Sequence, residues 1–244
     1  MENNKVNIIC YLSNGAPSVE KTFENAERYI EAGCDIIEVD LPTDNPYLDN
    51  QLIQDRMKYS FQQDESLDRH LQTIVELKNK HSKMKFIILA YEASILLLGI
   101  EKFIKAFQKI NPEGLILVGE KDGDVRRELQ GKGIKCAAYV PFDLPEKDVE
   151  IAKKSNSFIY LQAKSSGKIK DNLDTLDKVI HYMRQVIGLK QDIYCGVGVS
   201  TPEDIRMLKA AGADGAFIGS GVIKREDTPE EQIAYIKSLK IASK

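Results

Sequence analysis

The sequence predicts a single-domain (β/α)8 barrel that spans residues 1–244, and three observations lead to this fold class. Short apolar runs alternate with longer amphipathic stretches about eight times, as in a parallel sheet whose strands are connected by helices. The length of 244 residues is close to the roughly 250 of a typical barrel of this kind. The eight units also fill the chain without extra edge elements, which disfavours the rival fold, an open doubly wound sheet.

Eight apolar runs bounded by Gly, Asn or Pro have the composition of strands buried on both faces. They cover residues 6–12, 35–41, 85–91, 114–118, 136–140, 157–162, 193–196 and 215–218. Amphipathic patterns predict helices at residues 19–32, 67–80, 99–110, 123–130, 146–154, 176–186, 202–211 and 229–241. In such a barrel the functional residues lie at the C-terminal ends of the strands, so we expect the site there.

Several of these helices carry signals for where they begin and end. Ser18 is expected to cap the first helix, and Gly33 follows its end. Ser66 is expected to cap the helix at 67–80. Thr201, followed by a proline, marks the start of the helix at 202–211, and Gly212 marks its end.

The composition excludes several classes of protein. A net charge of -3 and an isoelectric point of about 5.8 give no basic surface for nucleic acid. The apolar runs are too short to span a bilayer, and no signal peptide opens the sequence. We therefore expect a cytoplasmic protein that binds neither nucleic acid nor a membrane.

Neither a metal nor a cofactor is predicted from the cysteines and histidines. The four cysteines form no C-x-x-C pair and are expected to be reduced core residues: Cys10, Cys34, Cys136 and Cys195. The three histidines fall in polar helical stretches without a partner at a metal-motif spacing: His70, His81 and His181.

Two acids occupy the second predicted strand. Because strand side chains alternate, Glu38 and Asp40 share one face, and the apolar residues Ile37, Val39 and Leu41 share the other. The apolar face is expected to pack against helices, which directs both acids into the barrel. Burial and the like charge of a neighbour raise a carboxyl pKa, as general acid–base catalysis at neutral pH requires. The alternative is a twisted, solvated strand end with two exposed acids.

A long polar loop, residues 42–50, follows this strand and carries Asp49. The loop lies at the predicted catalytic end of the barrel. Acids in loops are usually only solvated, so composition alone leaves Asp49 open between a surface residue and a site residue.

Glycine-rich turns follow the last two strands. Gly198 follows the seventh strand, and Gly219 with Ser220 ends the eighth. In (β/α)8 barrels the loops after these strands often bind phosphate, because glycine lets backbone N–H groups approach an anion closely. The segment 222–224 is expected to present the N-terminus of a short helix. Tight turns without a ligand are the alternative interpretation.

These residues resemble the second strand and loop of the tryptophan synthase α subunit family. That family has an acidic strand residue, a proline-rich loop, and an Asp before a short helix that ends in Ile-Gln. The matching positions here are Glu38, Pro42, Pro46, Asp49 and Ile53-Gln54. The likeness runs from residue 8 to residue 224 and includes further motifs at Gly15 with Pro17, Leu89 with Tyr91, residues 158–160, 196–198, 200–202, and Gly219 with Ser220.

The resemblance implies a carbon–carbon lyase that cleaves indole-3-glycerol phosphate to indole and glyceraldehyde 3-phosphate in a retro-aldol reaction. Glu38 would shuttle protons, and Asp49 would stabilise the positive charge on the indole nitrogen. Wall residues that would enclose the indole ring are Tyr11, Leu89, Tyr91, Ile116 and Tyr160. Each of these five is equally well interpreted as barrel core. The resemblance also implies a pyridoxal-phosphate-dependent β subunit as partner, whereas this chain needs no cofactor.

The sequence departs from the family at several positions. Asp40 stands where the family usually has glycine, and Gly119 stands where an Asp is common. Lys164 replaces an arginine, and the lid segment, residues 164–170, lacks the usual threonine. These departures keep two alternatives open: a related barrel enzyme acting on another small phosphorylated substrate, and a non-catalytic phosphate-ligand binding protein that regulates a partner.

Overall fold

The computed structural model describes residues 5–244 and has eight parallel strands over that range. They are β1 (Asn7–Leu12), β2 (Ile36–Leu41), β3 (Lys85–Tyr91), β4 (Gly114–Val118), β5 (Ala138–Val140), β6 (Ile159–Gln162), β7 (Ile193–Gly196) and β8 (Gly215–Ile218). Their order in the sheet is β4-β3-β2-β1-β8-β7-β6-β5. All eight predicted runs therefore contain a strand, and the predicted fold class is confirmed.

The ends of the sheet, β4 and β5, meet and close the barrel at a short seam. Leu115 pairs with Cys136 in an isolated parallel bridge. The Leu115 N–H donates to the Lys135 carbonyl at 2.7 Å, and the Ala137 N–H donates to the Leu115 carbonyl at 2.9 Å. The Arg126 guanidinium lies beside this seam and donates to the Ala137 carbonyl at 2.8 Å.

Helices surround the strands. They are α1 (Val19–Glu31), α2 (Gln51–Gln63), α3 (Asp68–Lys80), α4 (Glu92–Leu98), α5 (Ile100–Ile110), α6 (Asp124–Gly131), α7 (Glu146–Lys153), α8 (Leu176–His181), α9 (Pro202–Ala211), α10 (Ser220–Ile223) and α11 (Pro229–Ala242). The helix predicted at 176–186 is α-helical only to His181 and continues as a π-helix over Tyr182–Ile187. The prediction of one α-helix there was wrong in its second half.

The predicted capping residues are confirmed in two helices and wrong in one. Ser18 accepts a hydrogen bond from the backbone N–H of Lys21 at 3.2 Å. Thr201 forms a reciprocal capping box at the start of α9. Ser66 does not occupy the cap position of α3, because Leu67 lies between them in a left-handed conformation with φ 62°.

Two helices, α2 and α4, were not among those predicted from periodicity. In α2 only Ile53, Met57 and Ser60 are buried, so its apolar stripe is too thin to stand out in the sequence. α4 follows β3 without a loop, and Gly99 with φ 94° separates it from α5. Apolar residues continue from strand to helix there, which hides the boundary.

The core has two layers that alternate along each strand. Ile37, Val39 and Leu41 of β2 belong to the outer layer, which packs between the strands and the helices. Ile36 belongs to the inner layer, which fills the barrel. Glu38 and Asp40 follow Ile36 at a spacing of two, so both acids project into the barrel as predicted.

The cysteines are free and buried: Cys10, Cys34, Cys136 and Cys195. His70 lies in a helix, as the sequence predicted, but it is buried. Its ring is 2% exposed and lies behind the loop after β1, where Nε2 is 3.0 Å from the Ser60 carbonyl. Ser60 belongs to α2, so the contact joins two helices and is not visible in the local sequence.

Candidate active site

Glu38 lies on the inner face of β2, level with Tyr11 of β1 and Ile87 of β3. Glu38 is 6% exposed to solvent. Within residues 5–244, no hydrogen bond to its carboxyl group is present. Burial, followed by the charges of Asp49 and Asp40, raises the pKa of Glu38 to about 8. A carboxyl group with that pKa carries its proton at neutral pH and can donate it.

Asp40 lies one pleat closer to the C-terminal end of β2 and is fully buried. Its Oδ1 accepts a hydrogen bond from the Asn14 N–H at 2.7 Å, and its Oδ2 accepts one from the Tyr11 hydroxyl at 3.0 Å. Burial raises the pKa of Asp40 to about 7, and the two hydrogen bonds act in the opposite direction. The structure therefore gives this second acid the donors that Glu38 lacks.

Asp49 reaches the site from the loop between β2 and α2. The Tyr91 hydroxyl donates to its Oδ2 at 2.6 Å, and the Gln54 side chain donates to its carbonyl at 2.7 Å. Asn50, the next residue, caps α2 by accepting from the Ile53 N–H at 3.3 Å. Burial raises the pKa of Asp49, although the Tyr91 hydrogen bond lowers it. The loop thus holds Asp49 near Glu38, whose pKa it affects.

The five predicted wall residues all belong to the inner layer or pack against it: Tyr11, Leu89, Tyr91, Ile116 and Tyr160. The hydroxyl groups of Tyr11 and Tyr91 are held by the acids, so these two rings are fixed in place. The Tyr160 ring stacks on Phe217 with 4.3 Å between centroids. Leu89 and Ile116 contribute apolar surface to the same wall.

Two aromatic residues of this wall were missed in the sequence. Phe217 lies on β8 between Gly215 and Gly219, and Tyr139 meets Tyr160 edge-on at 5.6 Å. The signal for Phe217 was its alternation with two glycines, because the inner face of a crowded barrel leaves room for large side chains only beside small ones.

The two glycine-rich turns come together because β7 and β8 are adjacent in the sheet. Gly198 has φ 83°, a conformation that favours glycine. Gly219 precedes α10, which begins at Ser220, two residues before the predicted start. A Cβ at Gly219 would lie 3.5 Å from Ile53 of α2, so this turn approaches the helix that follows Asp49.

Lys164 follows β6 and crosses the Gly198 turn. Its Cδ lies 3.1 Å from the position that a Cβ at Gly198 would take. Its Nζ pairs with Oδ1 of Asp204 at 2.9 Å, and Oδ2 of Asp204 accepts hydrogen bonds from the N–H groups of Ser200 and Thr201. The sequence identified Lys164 but not its partner, which lies 40 residues away.

Metal-binding clusters and membrane-spanning helices are two further features that bear on the described part of the chain. Between residues 5 and 244, no group of three or more His, Cys, Asp or Glu side chains is arranged to hold a metal ion. In the same range, no helix has the length and apolar character needed to cross a membrane.

The model of one protein family, the tryptophan synthase alpha chain, matches residues 1–243 of this sequence. The chain belongs to the tryptophan synthase alpha chain family. This confirms the resemblance that was based on the motifs between residues 8 and 224.

Curated members of the tryptophan synthase alpha chain family are moderately identical to this chain, and the similarity extends over most of both sequences. The chain is 28% identical to the protein of Synechocystis sp. over 240 residues, which is 95% of this chain and 90% of that protein. It is 27% identical to the protein of Thermococcus kodakarensis over 238 residues, 94% and 93% of the two chains. The relationship therefore covers the whole barrel.

Solved structures in the same family share the fold. Tryptophan synthase subunit alpha from Legionella pneumophila is similar with a TM-score of 0.80 and 21% identity, over 99% of this chain and 94% of that chain. A chain of tryptophan synthase from M. tuberculosis, in an aminoacrylate-bound form, is similar with a TM-score of 0.81 and 18% identity, over 99% and 95% of the two chains.

Proposed function

We propose that this member of the tryptophan synthase alpha chain family is a carbon–carbon lyase that cleaves indole-3-glycerol phosphate to indole and glyceraldehyde 3-phosphate. The observation that carries the proposal is the placement of Glu38. It lies inside the barrel, buried and without a hydrogen bond from the described residues, with Asp49 close enough to affect its pKa. A retro-aldol cleavage needs one mobile proton donor and one fixed anion, and these two residues match the two roles.

Glu38 performs the proton transfers. Its carboxylic acid donates a proton to C3 of the indole ring, which places a positive charge on the ring nitrogen. The bond between C3 and the glycerol carbon then breaks, and its electron pair returns to the ring. The Glu38 carboxylate takes the proton of the adjacent glycerol hydroxyl, which becomes the aldehyde. Glu38 ends protonated, so protons and electrons balance over the cycle.

Asp49 stabilises the cationic ring between these two transfers. A carboxylate fixed near the ring nitrogen lowers the energy of a charge that exists only during the reaction. The Tyr91 hydroxyl and the Asn50 cap hold Asp49 in position before substrate arrives. Contributions of this kind are each worth about 10²–10⁴-fold in rate.

The phosphate of the substrate binds at the other end of the site, in the turns at Gly198, Gly219 and Ser220. Backbone N–H groups in glycine-rich turns are suitable donors for a phosphate because no side chain hinders their approach. Lys164 lies over the Gly198 turn, where its ammonium group is paired with Asp204. The indole ring then occupies the apolar wall, where Tyr160 and Phe217 offer stacked aromatic surface.

Indole release from indole-3-glycerol phosphate tests the proposal. The wild-type chain is expected to release indole, and Glu38→Gln and Asp49→Asn are each expected to lose at least about a hundredfold in kcat. Glu231→Gln, which removes an exposed acid on α11, is the matched control and is expected to keep wild-type turnover. Equal activity of Glu38→Gln and wild type would contradict the proposed role of Glu38.

A second function is supported by the departures from the family pattern. Asp40 adds a third carboxyl group to the site, and the lid segment 164–170 has a different sequence. These changes favour a related enzyme that acts on another small phosphorylated substrate. Saturable binding of indole-3-glycerol phosphate without turnover, alone or with a β subunit, would support this alternative or a non-catalytic binding protein.

We also propose that the chain binds a tryptophan synthase β subunit. Family membership supports this partner, and Tyr47 and Leu48 of the loop after β2 are 56% and 62% exposed. Exposed apolar residues at the mouth of the barrel are suited to a protein interface. Gel filtration of the two subunits together is expected to give a species larger than either. Independent elution at micromolar concentrations would contradict the proposal.

A further inference from the structure

The carboxyl groups of Glu38, Asp40 and Asp49 belong to the same site. The hydrogen-bond donors around them are unequally distributed. Asp40 accepts from the Asn14 N–H and the Tyr11 hydroxyl, and Asp49 accepts from the Tyr91 hydroxyl. Glu38 accepts from none of the described residues. Three negative charges cannot all be stabilised in one buried site, so the protons remain where donors are absent.

We propose that Asp40 is a positioning residue that keeps the catalytic proton on Glu38, because the two hydrogen-bond donors of Asp40 let it ionise before Glu38 does. This inference rests on the proposed function, because it specifies how Glu38 begins the cycle. Asp40 itself does not contact the reacting atoms in this proposal. It acts through Glu38, two residues earlier on the same face of β2.

The anchor of Asp40 is rigid. Asn14, which donates its backbone N–H to Oδ1, is fully buried. The Asn14 side-chain amide donates to the carbonyl of Asp40 and to the carbonyl of His70, both at 3.0 Å. The Asn14 carbonyl accepts a hydrogen bond from the Ser60 hydroxyl. The loop after β1 is therefore tied to β2, α2 and α3, and these contacts hold the Asn14 N–H beside the Asp40 carboxyl group.

The groups that face Glu38 come from four elements. β2 contributes Asp40, the following loop contributes Asp49, β1 contributes Tyr11, and β6 contributes Tyr160. Among the described residues, the charges that affect Glu38 are those of Asp49 and Asp40, both negative. Because no cation balances them there, each anion favours the protonated form of Glu38.

The consequence is an order for the proton transfers. Glu38 enters the cycle as an acid and first protonates the indole ring. Its conjugate base then accepts the glycerol proton. A glycine at position 40 would leave Glu38 with one anionic neighbour fewer, and a larger share of the enzyme would begin with Glu38 ionised at neutral pH.

The experiment is a titration of the Glu38 carboxyl carbon by ¹³C NMR in the full chain, with Glu38→Gln used to assign the resonance. In Asp40→Asn, which keeps an acceptor for the Asn14 N–H, the midpoint is expected to fall by about one pH unit. The alkaline limb of kcat for indole release is expected to move by the same amount. Asp44→Asn, which removes an exposed acid from the neighbouring loop, is the matched control and is expected to leave the midpoint unchanged.

Each outcome decides one claim. An unchanged Glu38 midpoint in folded Asp40→Asn would overturn the inference, even if both enzymes release indole. A lowered midpoint without indole release by wild type would support the effect of Asp40 but reject the proposed reaction. If Asp40→Asn does not fold, Tyr11→Phe is titrated instead. It removes one donor from Asp40 and is expected to lower the Glu38 midpoint by a smaller amount, and no change there would also overturn the inference.

Discussion

The hydroxyl oxygen of Tyr91 lies 2.6 Å from Oδ2 of Asp49 and accepts a hydrogen bond from the Leu48 N–H at 3.1 Å. One phenol group therefore contacts both the catalytic loop and its acid. Since Tyr91 is the last residue of β3, the loop after β2 is held against the neighbouring strand.

Tyr91→Phe is expected to lower kcat for indole release by about tenfold, because a hydrogen bond to a charged group contributes about 1.5–3 kcal/mol. The effect is expected in kcat because Asp49 stabilises a charge that is absent from the bound substrate. Steady-state kinetics of indole release measures it. Tyr59→Phe on the exposed side of α2 is the control, and equal kcat values for the two variants would refute the role of this contact.

Glu38→Gln is expected to stabilise the folded chain at about pH 8 by up to about 5 kcal/mol. The pKa of Glu38 is about 8 in the folded chain, whereas an unfolded glutamate has a pKa of about 4.3. Between these values the unfolded chain releases a proton that the folded chain keeps, so rising pH favours unfolding. The gain from glutamine is therefore absent near pH 4 and grows towards pH 8.

Urea unfolding of Glu38→Gln and wild type at about pH 4.5 and about pH 8 measures this difference. Glu231→Gln is the control, because its exposed carboxyl group is expected to give no pH-dependent gain. A gain of equal size at both pH values would show that the burial of Glu38 is not responsible.

Gly198→Ala is expected to raise the KM for indole-3-glycerol phosphate by roughly tenfold, because a methyl group in the turn hinders the approach of the phosphate. Gly133→Ala is the matched control. The φ values are similar, 83° and 81°, but a Cβ at Gly133 would meet nothing within 4 Å. Both variants carry similar backbone strain, so equal KM values would remove Gly198 from the phosphate site.

Gly119→Asp restores the residue that is common in the family, and it is nevertheless expected to lower kcat. Gly119 has φ 72°, and a Cβ there would lie 3.2 Å from the hydroxyl oxygen of Tyr47 and 3.2 Å from the Tyr91 ring. The new side chain displaces Tyr91 and therefore Asp49. Gly133→Asp is expected to share the strain of about 1 kcal/mol without the loss of kcat. A kcat for Gly119→Asp equal to that of wild type would contradict this account.

The fold was predictable because its signals are local. Alternating side chains on β2 placed Ile37 and Glu38 on opposite faces, and the Thr201 cap with Gly212 gave the bounds of α9. The family resemblance supplied the proposed roles of Glu38 and Asp49, which periodicity alone did not give. The features that depend on local patterns were therefore predicted from the sequence.

The contacts that differentiate the three acids were not predictable. Asn14 and Asp40 are separated by 26 residues, and Asp49 and Tyr91 by 42. A hydrogen bond between such residues depends on the register of neighbouring strands and on the path of a loop. The helix α4 was missed for a different reason, because its apolar residues continue those of β3.

The strands of the barrel wall are not equally well paired, and the seam between β4 and β5 is a weakly paired part of it. Strands β2 and β3 are in register over six residue pairs, whereas β4 pairs in the described residues through one bridge, between Leu115 and Cys136, just before β5. Local opening is easiest where the fewest backbone hydrogen bonds must break, so amide protons at this seam are expected to exchange with solvent before those of β2. Ile116 adjoins the seam and lines the barrel interior, so such openings are expected to let water reach the interior while the strand that carries Glu38 stays paired.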